Sequence, residues 1–555
     1  MFIRCRPNSA KNKWSITVCR SVRQGTRVSQ EIIKYLGVAH TEKQKQALLR
    51  LGQAEIRAAT ALPNLIVAQS NNLPEALLGN MIEIGNAIEG MHDVFGEMFD
   101  KMNLRSLFKS GEYEKLKDVI ISRIAKPDSK RHTAELLTRD YCRPISASQI
   151  YRLMDVLLPI QKEIKERILE ASKSFINDNK IDILFFDVTT LHFESQIVDS
   201  LRDFGMSKAH KIGEVQVVLA LATTSEGLPI GYNLFSGKTA EVSTLLVSLN
   251  EWKNDLNIQD ITVVADRAMM SETNLLAMEN AKFKYTVAAK LRSLPDSLQQ
   301  KILERKLEND VTVARQLMKI QEHTYKGRRL VVSYSESRAK KDKKDREKLL
   351  IRINKKLGSK VKGKKLITNK GYLKYFREET KGEMVLDEAK IVEDACWDGL
   401  HGVITNDETA TAEKLLERYR GLWVIEESFR INKHTLEMRP IYHFTPRRIE
   451  SHILVCYIAY ALARYVQRQI SQFHKPMSID KIREELTRVK SGLLEDTLSG
   501  ECYRMPSHLS SDAKEIYRSL GIKRLSRASK IIQPKKCSGK KKNHVFDAKG
   551  HTETI

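Results

Sequence analysis

The sequence predicts an α/β fold in which helices flank a mixed β-sheet. Short apolar runs rich in β-branched and aromatic residues begin at residue 183 and alternate with segments whose apolar residues recur at helical spacing. Two of these runs end in an aspartate, and a later helical segment carries a glutamate. At 555 residues the chain is too long for one ordinary hydrophobic core, so we expect several domains.

The charge balance favours a polyanionic partner. The chain contains 94 Lys and Arg against 69 Asp and Glu, a formal net charge of +25. A cationic surface gains affinity for nucleic acid by releasing the counterions that surround the phosphates. Nucleic acid is therefore the predicted partner, and a basic protein that is only soluble or that rests on acidic lipid is the alternative.

The cysteines and the apolar segments exclude several classes of protein. The 7 cysteines are scattered and form no Cys-x-x-Cys pair, which is typical of reduced thiols and argues against a zinc finger or a disulfide framework. The longest apolar stretch, residues 453–463, is shorter than the roughly 20 residues that a membrane span requires. The sequence thus predicts a cytoplasmic protein without a membrane partner.

Residues 1–175 are predicted to form a mostly helical N-terminal region that binds DNA, after a strand-like start at residues 14–18. The segment 144–154 fits the second half of a helix-turn-helix, and it fits an ordinary helical pair equally well. The position of the module that reads DNA sequence therefore stays open.

The first part of the sheet domain is assigned to residues 176–290. Its apolar and amphipathic segments predict the order βββαβαβ. The predicted elements are strands at 183–189, 215–223 and 228–235, a helix at 241–252, a strand at 261–266, a helix at 271–280 and a strand at 285–289. With a later helix across the strand ends, this is the element order of an RNase H-like domain.

Residues 291–405 are predicted to form an inserted, basic and partly β subdomain, because they are too many for a loop in a compact domain. Two very basic runs, 338–346 and 360–365, fit either a solvated helical face or contact with a DNA backbone. Residues 406–475 are assigned to the second part of the RNase H-like core. Residues 476–555 are expected to be a helical region that ends in a basic tail at 526–542.

The segment 419–433, read as one helix, places Tyr419, Glu426 and Lys433 seven residues apart on one face. Leu422 and Phe429 fall in the same stripe, which indicates a core-facing surface. A carboxylate in such a stripe costs several kcal/mol unless it is paired or bound to a metal. Glu426 is therefore expected to face a cation.

Three acids are the candidate catalytic and metal-binding residues. Asp187 and Asp266 end two predicted strands, and an RNase H-like topology would bring both beside Glu426. Carboxylates suit hard cations, so we expect two Mg²⁺ ions, with Mn²⁺ as an alternative, to be held there for phosphodiester chemistry. The competing carboxylates are Asp182, Glu194, Asp203 and Glu427.

Basic and aromatic residues near these acids are candidate DNA-binding residues. Arg267 follows the second acid and Lys433 follows Glu426 by two helical turns, so both are predicted to hold phosphate oxygens. Tyr419 and Trp423 would stack on exposed bases or, alternatively, belong to the core. The histidines show no metal-ligand spacing, and no Gly-x-x-x-x-Gly-Lys-Ser/Thr loop is present.

These residues resemble the DDE transposases of bacterial insertion sequences, in the branch with a Tyr-x2-Arg-x3-Glu-x6-Lys signature. Tyr419, Glu426 and Lys433 match the signature, whereas Leu422 stands at its arginine position. Arg418, Arg420 and Arg430 are the candidates to replace that arginine. The sequences Phe-Asp-Val-Thr-Thr around the first acid and Ala-Asp-Arg around the second also match, so the resemblance spans about residues 180–470.

The resemblance implies a DNA transposase that cuts transposon ends and joins the freed 3′-hydroxyl to target DNA. It implies double-stranded DNA partners, namely terminal inverted repeats and target, a homodimer on paired ends, and a nucleoid-associated bacterial protein. Because Leu422 departs from the signature, a hairpin step is not predicted. The alternatives are an RNase H-like DNA nuclease without strand transfer and a catalytically silent DNA-binding protein.

Overall fold

The computed structural model describes most of the chain. The described residues are 2–8, 13–24, 27–61, 78–109, 111–193, 196–205, 214–255, 261–267, 271–304, 309–357, 375–379, 383–524 and 526–531. The basic run at 360–365, Glu194 and most of the predicted C-terminal tail lie outside them.

The strands of the described residues are numbered in chain order. They are β1 Phe2–Asn8, β2 Lys13–Gln24, β3 Arg27–Ala39, β4 Met81–Ile88, β5 Ile183–His192, β6 Asp203–Phe204, β7 Val215–Thr223, β8 Pro229–Ser236, β9 Thr262–Ala265, β10 Lys284–Ala288, β11 Asn309–Val313, β12 Gln316–Tyr325, β13 Arg328–Tyr334, β14 Phe376–Glu379, β15 Glu383–Leu386, β16 Leu400–Thr405, β17 Lys490–Asp496, β18 Cys502–Pro506 and β19 Ser529–Lys530.

The α-helices of the described residues are numbered in the same way. They are α1 Glu42–Ala61, α2 Gly90–Lys101, α3 Glu112–Ala125, α4 Lys130–Asp140, α5 Ala147–Leu157, α6 Gln161–Lys173, α7 Glu241–Asp255, α8 Glu272–Asn280, α9 Asp296–Leu303, α10 Glu336–Leu357, α11 Glu388–Ala395, α12 Ala412–Arg420, α13 Trp423–Arg430, α14 Pro446–Phe473, α15 Ile479–Thr487 and α16 Ser511–Ser519.

The chain divides into two compact units. The smaller unit comprises residues 1–89, 488–510 and 523–555. Its described part contains the antiparallel sheet β1-β2-β3 and a second antiparallel sheet in the order β19-β18-β17-β4. Residues 1–175 therefore begin with more β-structure than the predicted short strand-like start.

The larger unit comprises residues 90–487 and 511–522 and is built on a ten-stranded mixed sheet. The strand order is β11-β12-β13-β16-β10-β9-β5-β7-β6, and β8 pairs with β7. The pair β5 and β9 and the pair β9 and β10 are parallel, whereas β5 and β7 are antiparallel. The strands and helices predicted between residues 183 and 289 are confirmed, with bounds shifted by at most a few residues.

The segment 291–405 contributes directly to this sheet. Strands β11, β12, β13 and β16 continue it beyond β10 through antiparallel pairs. Strands β14 and β15 form a separate two-stranded pair. The strongly basic helix α10 follows β13, so the run at 338–346 is helical.

The sheet separates two packed layers because alternate side chains of a strand point to opposite faces. One face of β5, with Leu184, Phe186 and Val188, belongs to a large buried cluster that includes Leu245 of α7 and Leu275 of α8. The opposite face of β5 carries Asp187 and lies towards α13. Helix α14 is buried along most of its length, so it forms the centre of the helical layer.

The segment predicted as one helix at 419–433 is interrupted, and that prediction is wrong. Helix α12 ends at Arg420, α13 begins at Trp423, and residues 431–435 continue as a π-helix. Gly421 lies at the break, where an added Cβ would come within 2.6 Å of Phe185 Cζ. The chain needs a glycine there because the backbone approaches β5 too closely for a side chain.

Among the described residues no helix is long and apolar enough to cross a membrane.

Candidate active site

Parallel pairing brings the first two predicted acids together. Phe186 of β5 pairs with Ala265, the last residue of β9, so Asp187 of β5 and Asp266, which directly follows β9, come next in the register. Neighbouring strands lie about 5 Å apart, and side chains at paired positions share a face. Two acids that are far apart in sequence therefore occur side by side at one edge of the buried strands.

Helix α13 brings the third acid to the same side of the sheet. The break at Gly421 lies against Phe185, two residues before Asp187 on the same face of β5. Burial and the negative charges of Asp266 and Glu426 raise the pKa of Tyr419 to about 12, although two nearby arginines lower it. Tyr419 therefore lies within the field of both acids.

The expectation that Glu426 lies in a buried stripe is wrong. Leu422 and Phe429 are 8% and 6% exposed, but Glu426 is exposed. Helix α13 buries Val424, Ile425, Ser428 and Phe429, and Glu426 lies outside this buried face. The carboxylate of Glu426 thus faces solvent and is accessible to an ion or a ligand.

Glu426 and its neighbour Glu427 differ in their partners. The Glu427 carboxylate accepts a hydrogen bond from Arg464 Nη2 at 2.9 Å and lies 3.5 Å from Arg430. Within the described part of the chain, Glu426 and Asp266 form no ion pair. A carboxylate already neutralised by an arginine is a poorer metal ligand, so Glu426 is the better candidate of the two.

The remaining competing acids have separate surroundings. Asp203 lies 3.3 Å from Lys238, and Asp182 is exposed ahead of β5. Glu194 is outside the described residues. None of these observations links a competing acid to the pair formed by Asp187 and Asp266.

The described side chains contain no group of three or more His, Cys, Asp or Glu already arranged to hold a metal ion. The register of β5 and β9 brings Asp187 beside Asp266. Glu426 lies on α13, and its charge and that of Asp266 both act on Tyr419. The acids offer carboxylate oxygens, which are the donors that Mg²⁺ and Mn²⁺ prefer. The residue types therefore fit a hard divalent cation.

Two of the predicted DNA-binding cations, Arg267 and Lys433, lie close to these acids. The Arg267 backbone N–H donates to the Asp266 carboxylate at 2.6 Å, and the Arg267 side chain is exposed. Lys433 Nζ donates to Thr189 Oγ1, which shares a face of β5 with Asp187. Arg430 is 70% exposed, so it is open to a ligand.

A cleft of about 910 Å³ opens beside Asp266. Its lining includes Arg267, Arg338 of α10, His401 of β16 and Tyr419. Burial, together with the positive charges of Arg338 and Arg267, lowers the pKa of His401 to about 4. The lining also includes acids, among them Asp342 and Asp398, so the cleft carries charges of both signs beside an imidazole that is neutral near pH 7.

Sequence reasoning missed Arg338 and His401. Arg338 is the first residue of the basic run at 338–346, which was assigned as a whole to either solvent or a DNA backbone. His401 has no ligand spacing that would distinguish it. Strand order β13-β16-β10 and the start of α10 after β13 bring them to the cleft, and this pairing is not visible in the sequence.

The two aromatic candidates for base stacking differ in exposure. Tyr419 is half-buried, and its ring centroid lies 4.8 Å from that of His401. Trp423 is 59% exposed at the start of α13. The exposed indole of Trp423 is thus the more accessible aromatic surface of the two.

Comparisons with known proteins point to one family. The sequence model of the Transposase DDE domain family matches residues 178–462, more than half of the chain. No curated protein matches the chain.

Two of the similar solved structures are described as transposase complexes. The piggyBac transposase synaptic complex with hairpin DNA shows 10% identity and a TM-score of 0.34, covering 72% of this chain and 77% of that chain. The Mos1 transposase paired-end complex with left transposon end shows 10% identity and a TM-score of 0.15, covering 43% and 66%. On the family match, the chain belongs to the Transposase DDE domain family.

Proposed function

We propose that this protein is the DNA transposase of a bacterial insertion sequence, which cuts transposon ends and joins the freed 3′-hydroxyl to target DNA. The observation that carries the proposal is the parallel register of β5 and β9, which sets Asp187 beside Asp266. The exposed, unpaired carboxylate of Glu426 on α13 supplies the third acid. Membership of the Transposase DDE domain family supports the same reading.

The proposed catalytic core is an RNase H-like sheet. The order β8-β7-β5-β9-β10 supports it, with β5 antiparallel to β7 and parallel to β9. In this proposal the segment 291–405 is an insertion whose strands lengthen the sheet beyond β10. The insertion also supplies α10, which brings Arg338 to the cleft beside Asp266.

Asp187, Asp266 and Glu426 would hold two divalent cations, Mg²⁺ or Mn²⁺. Such ions would activate an oxygen nucleophile and neutralise charge on the leaving oxygen of a phosphodiester. The donor set fits because all three side chains offer carboxylate oxygens and two of them are exposed. Asparagine or glutamine at these positions would keep the shape and remove the negative charge.

The cations of the site would position the scissile phosphate. Lys433, already directed towards Thr189 on the acid-bearing face of β5, would contact a non-bridging oxygen. Arg267 and Arg338 add positive charge along the cleft, where guanidinium groups can bind phosphate through paired hydrogen bonds. The exposed ring of Trp423 would support a base next to the cut.

The structure also bears on the missing signature arginine at Leu422. Arg418 is already paired with the carboxylate of Asp407 at 2.9 Å. Arg420 donates to the carbonyl oxygen of Val313 at 3.1 Å. Arg430 is 70% exposed and makes only a longer contact, 3.5 Å to Glu427, so we assign to it the phosphate contact that an arginine at position 422 would make.

The proposed partners are double-stranded terminal inverted repeats and target DNA. The net charge of +25 and the basic helix α10 support contact with the phosphate backbone. Pairing of two ends would require a homodimer, and the protein would act at the bacterial nucleoid in the cytoplasm.

The proposal is tested by joining, since cutting alone does not distinguish a transposase from a nuclease. The full-length protein, Mg²⁺ and labelled DNA carrying the inverted repeats that flank its coding region are incubated with a supercoiled target plasmid. Cut ends together with labelled plasmid are the expected products. Cut ends without joined plasmid would identify a nuclease, and binding without either product would identify a catalytically silent protein.

A further inference from the structure

A second pocket, of about 410 Å³, lies between the end of α3, the start of α4 and the first half of α14. Arg123, Lys130, His443 and His452 line its interior. It contains none of the candidate catalytic residues. Its distinguishing feature is a concentration of buried cationic and imidazole side chains.

The two cations of this pocket compete for one acceptor. Arg123 and Lys130 are 7% and 5% exposed, and Arg123 Nη2 and Lys130 Nζ each lie 3.3 Å from His452 Nδ1. His452 Nε2 lies 3.2 Å from the carbonyl oxygen of Met438, so Nε2 carries the proton and Nδ1 offers one lone pair. Arg123 Nη1 also donates to the carbonyl oxygen of Asp128 at 3.2 Å, but the single lone pair of His452 Nδ1 cannot satisfy both Arg123 Nη2 and Lys130 Nζ.

No described carboxylate forms an ion pair with Arg123 or Lys130. Burial and the charge of Arg123 lower the pKa of Lys130 to about 7. Two acids, Asp128 and Glu437, line the pocket without pairing with either cation among the described residues. Asp128 accepts from the Ser129 backbone N–H at 2.6 Å and lies 3.7 Å from His132. Buried cations without a counter-charge are strongly unfavourable, so the arrangement suits an anionic ligand.

The start of α4 adds to the positive potential. Ser129 caps α4 by accepting from the His132 backbone N–H at 3.1 Å, and Lys130 is the first helical residue. The N-terminus of a helix carries partial positive charge and favours bound phosphate. The dipole and the buried side chains therefore favour the same ligand charge.

The mouth of the pocket is aromatic. Tyr151 and Tyr442 both line it, with exposed fractions of 37% and 60%. A tyrosine ring accommodates the sugar or base of a nucleotide, whereas the cations bind its phosphate. The volume also exceeds what a bare phosphate would fill.

We propose that this pocket binds a phosphate group carried on a nucleotide, with Arg123 and Lys130 as its cationic ligands and Tyr442 beside the nucleoside. The backbone at Ile441 bridges to Phe193, which directly follows β5. Phe193 is six residues from Asp187, about 20 Å along the strand. The natural ligand is a nucleotide of the bound DNA, and this part of the inference rests on the proposed function.

The test uses the full-length protein and three probes: inorganic phosphate, deoxyadenosine 5′-monophosphate, and a short oligonucleotide with or without a 5′-phosphate. Each phosphate-bearing probe at saturation is expected to raise the unfolding midpoint by roughly 2–4 °C. A stronger effect of the phosphorylated oligonucleotide than of the mononucleotide identifies DNA as the source, and the reverse identifies a free nucleotide.

Lys130→Met is expected to weaken phosphate binding by about 10- to 100-fold, because one charge-assisted hydrogen bond is lost. The matched control is Lys101→Met, which removes an exposed lysine from α2 and should leave phosphate binding unchanged. Tyr442→Ala changes an exposed ring at the mouth, so it folds even where Lys130→Met does not. It should weaken nucleotide binding more than binding of inorganic phosphate.

The proposal is overturned if no phosphate probe shifts the midpoint of the wild-type protein. It is also overturned if Lys130→Met folds and binds phosphate as the wild type does. DNA cutting and joining by the wild type is measured separately. A failure of phosphate binding in this pocket would therefore not contradict the proposed function. Failure of joining with intact phosphate binding would contradict the proposed function alone.

Discussion

Replacing Glu426 by glutamine tests whether the carboxylate of Glu426 acts in catalysis or only in stability. The side chain of Glu426 is exposed and forms no ion pair within the described residues. The substitution should therefore change the free energy of unfolding by less than about 0.5 kcal/mol. If the carboxylate holds a catalytic cation, its loss removes about 3–4 kcal/mol of transition-state stabilisation, which is roughly 100- to 1,000-fold in rate.

Glu427→Gln is the matched control, because it makes the same chemical change at the next position. Glu427 neutralises Arg464, whose side chain is 6% exposed. Removing that partner leaves a nearly buried guanidinium unpaired, at a cost of about 1–3 kcal/mol. We therefore expect Glu427→Gln to lower thermal stability and to retain activity per folded molecule, the reverse of Glu426→Gln.

The assay measures cut and joined DNA per folded protein, with DNA affinity from gel shifts and stability from thermal unfolding. Glu426→Gln should bind DNA normally and yield almost no product. If Glu426→Gln keeps turnover while Glu427→Gln loses it, the third acid is Glu427 and our reasoning from pairing and exposure is refuted.

Other expectations follow from neighbouring contacts. Lys433→Ala should weaken affinity for the transposon end in a gel shift. The ammonium group of Lys433 donates to Thr189 in the structure, and we expect it to bind a phosphate oxygen when DNA is present. Gly421→Ala should lower stability by about 1–3 kcal/mol in thermal unfolding, since the new methyl group would lie 2.6 Å from Phe185 Cζ. His401→Phe should reduce the acid sensitivity of stability. The pKa of His401 falls from 6.5 to about 4 on folding, so the unfolded chain binds more protons in this window and stability is lost as pH falls from 6.5 to 4, by about 1–2 kcal/mol.

Controls for these substitutions come from the same chain. Lys101→Ala removes an exposed lysine on α2 and should not alter end affinity. Gly79→Ala adds a methyl group that meets no atom within 4 Å, so its stability should stay near that of the wild type. Equal end affinity after Lys433→Ala, unchanged stability after Gly421→Ala, or an unaltered pH profile after His401→Phe would each contradict the corresponding contact.

The sheet was predictable because strands and helices differ in the period of their apolar residues. The runs around Asp187 and Asp266 are strands β5 and β9, and the catalytic role of their acids stays a prediction. Prediction failed at the segment 419–433, where a glycine was read as part of a continuous helix. A local pattern does not reveal that Phe185 lies against Gly421.

The sequence revealed runs of basic residues but did not show which of their side chains line a cleft or pocket. The sequence indicated a basic run at 338–346, but only the packing of α10 after β13 shows that Arg338 and Arg346 of this run line the cleft. The cluster of Arg123, Lys130 and His452 had no sequence signal, because its members come from α3, α4 and α14. Contacts between residues hundreds of positions apart depend on the fold.

From the sequence alone we could predict two buried strands that carry or precede Asp187 and Asp266, a helical segment that carries Glu426, and an excess of positive charge typical of a protein that binds a polyanion. Local periodicity and composition are sufficient for these conclusions. Only the tertiary structure decided that the two aspartates are neighbours, that Glu427 is neutralised by Arg464, and that Glu426 is open to solvent. Strand register, helix breaks and ion pairing result from long-range packing, and that packing is a property of the whole chain.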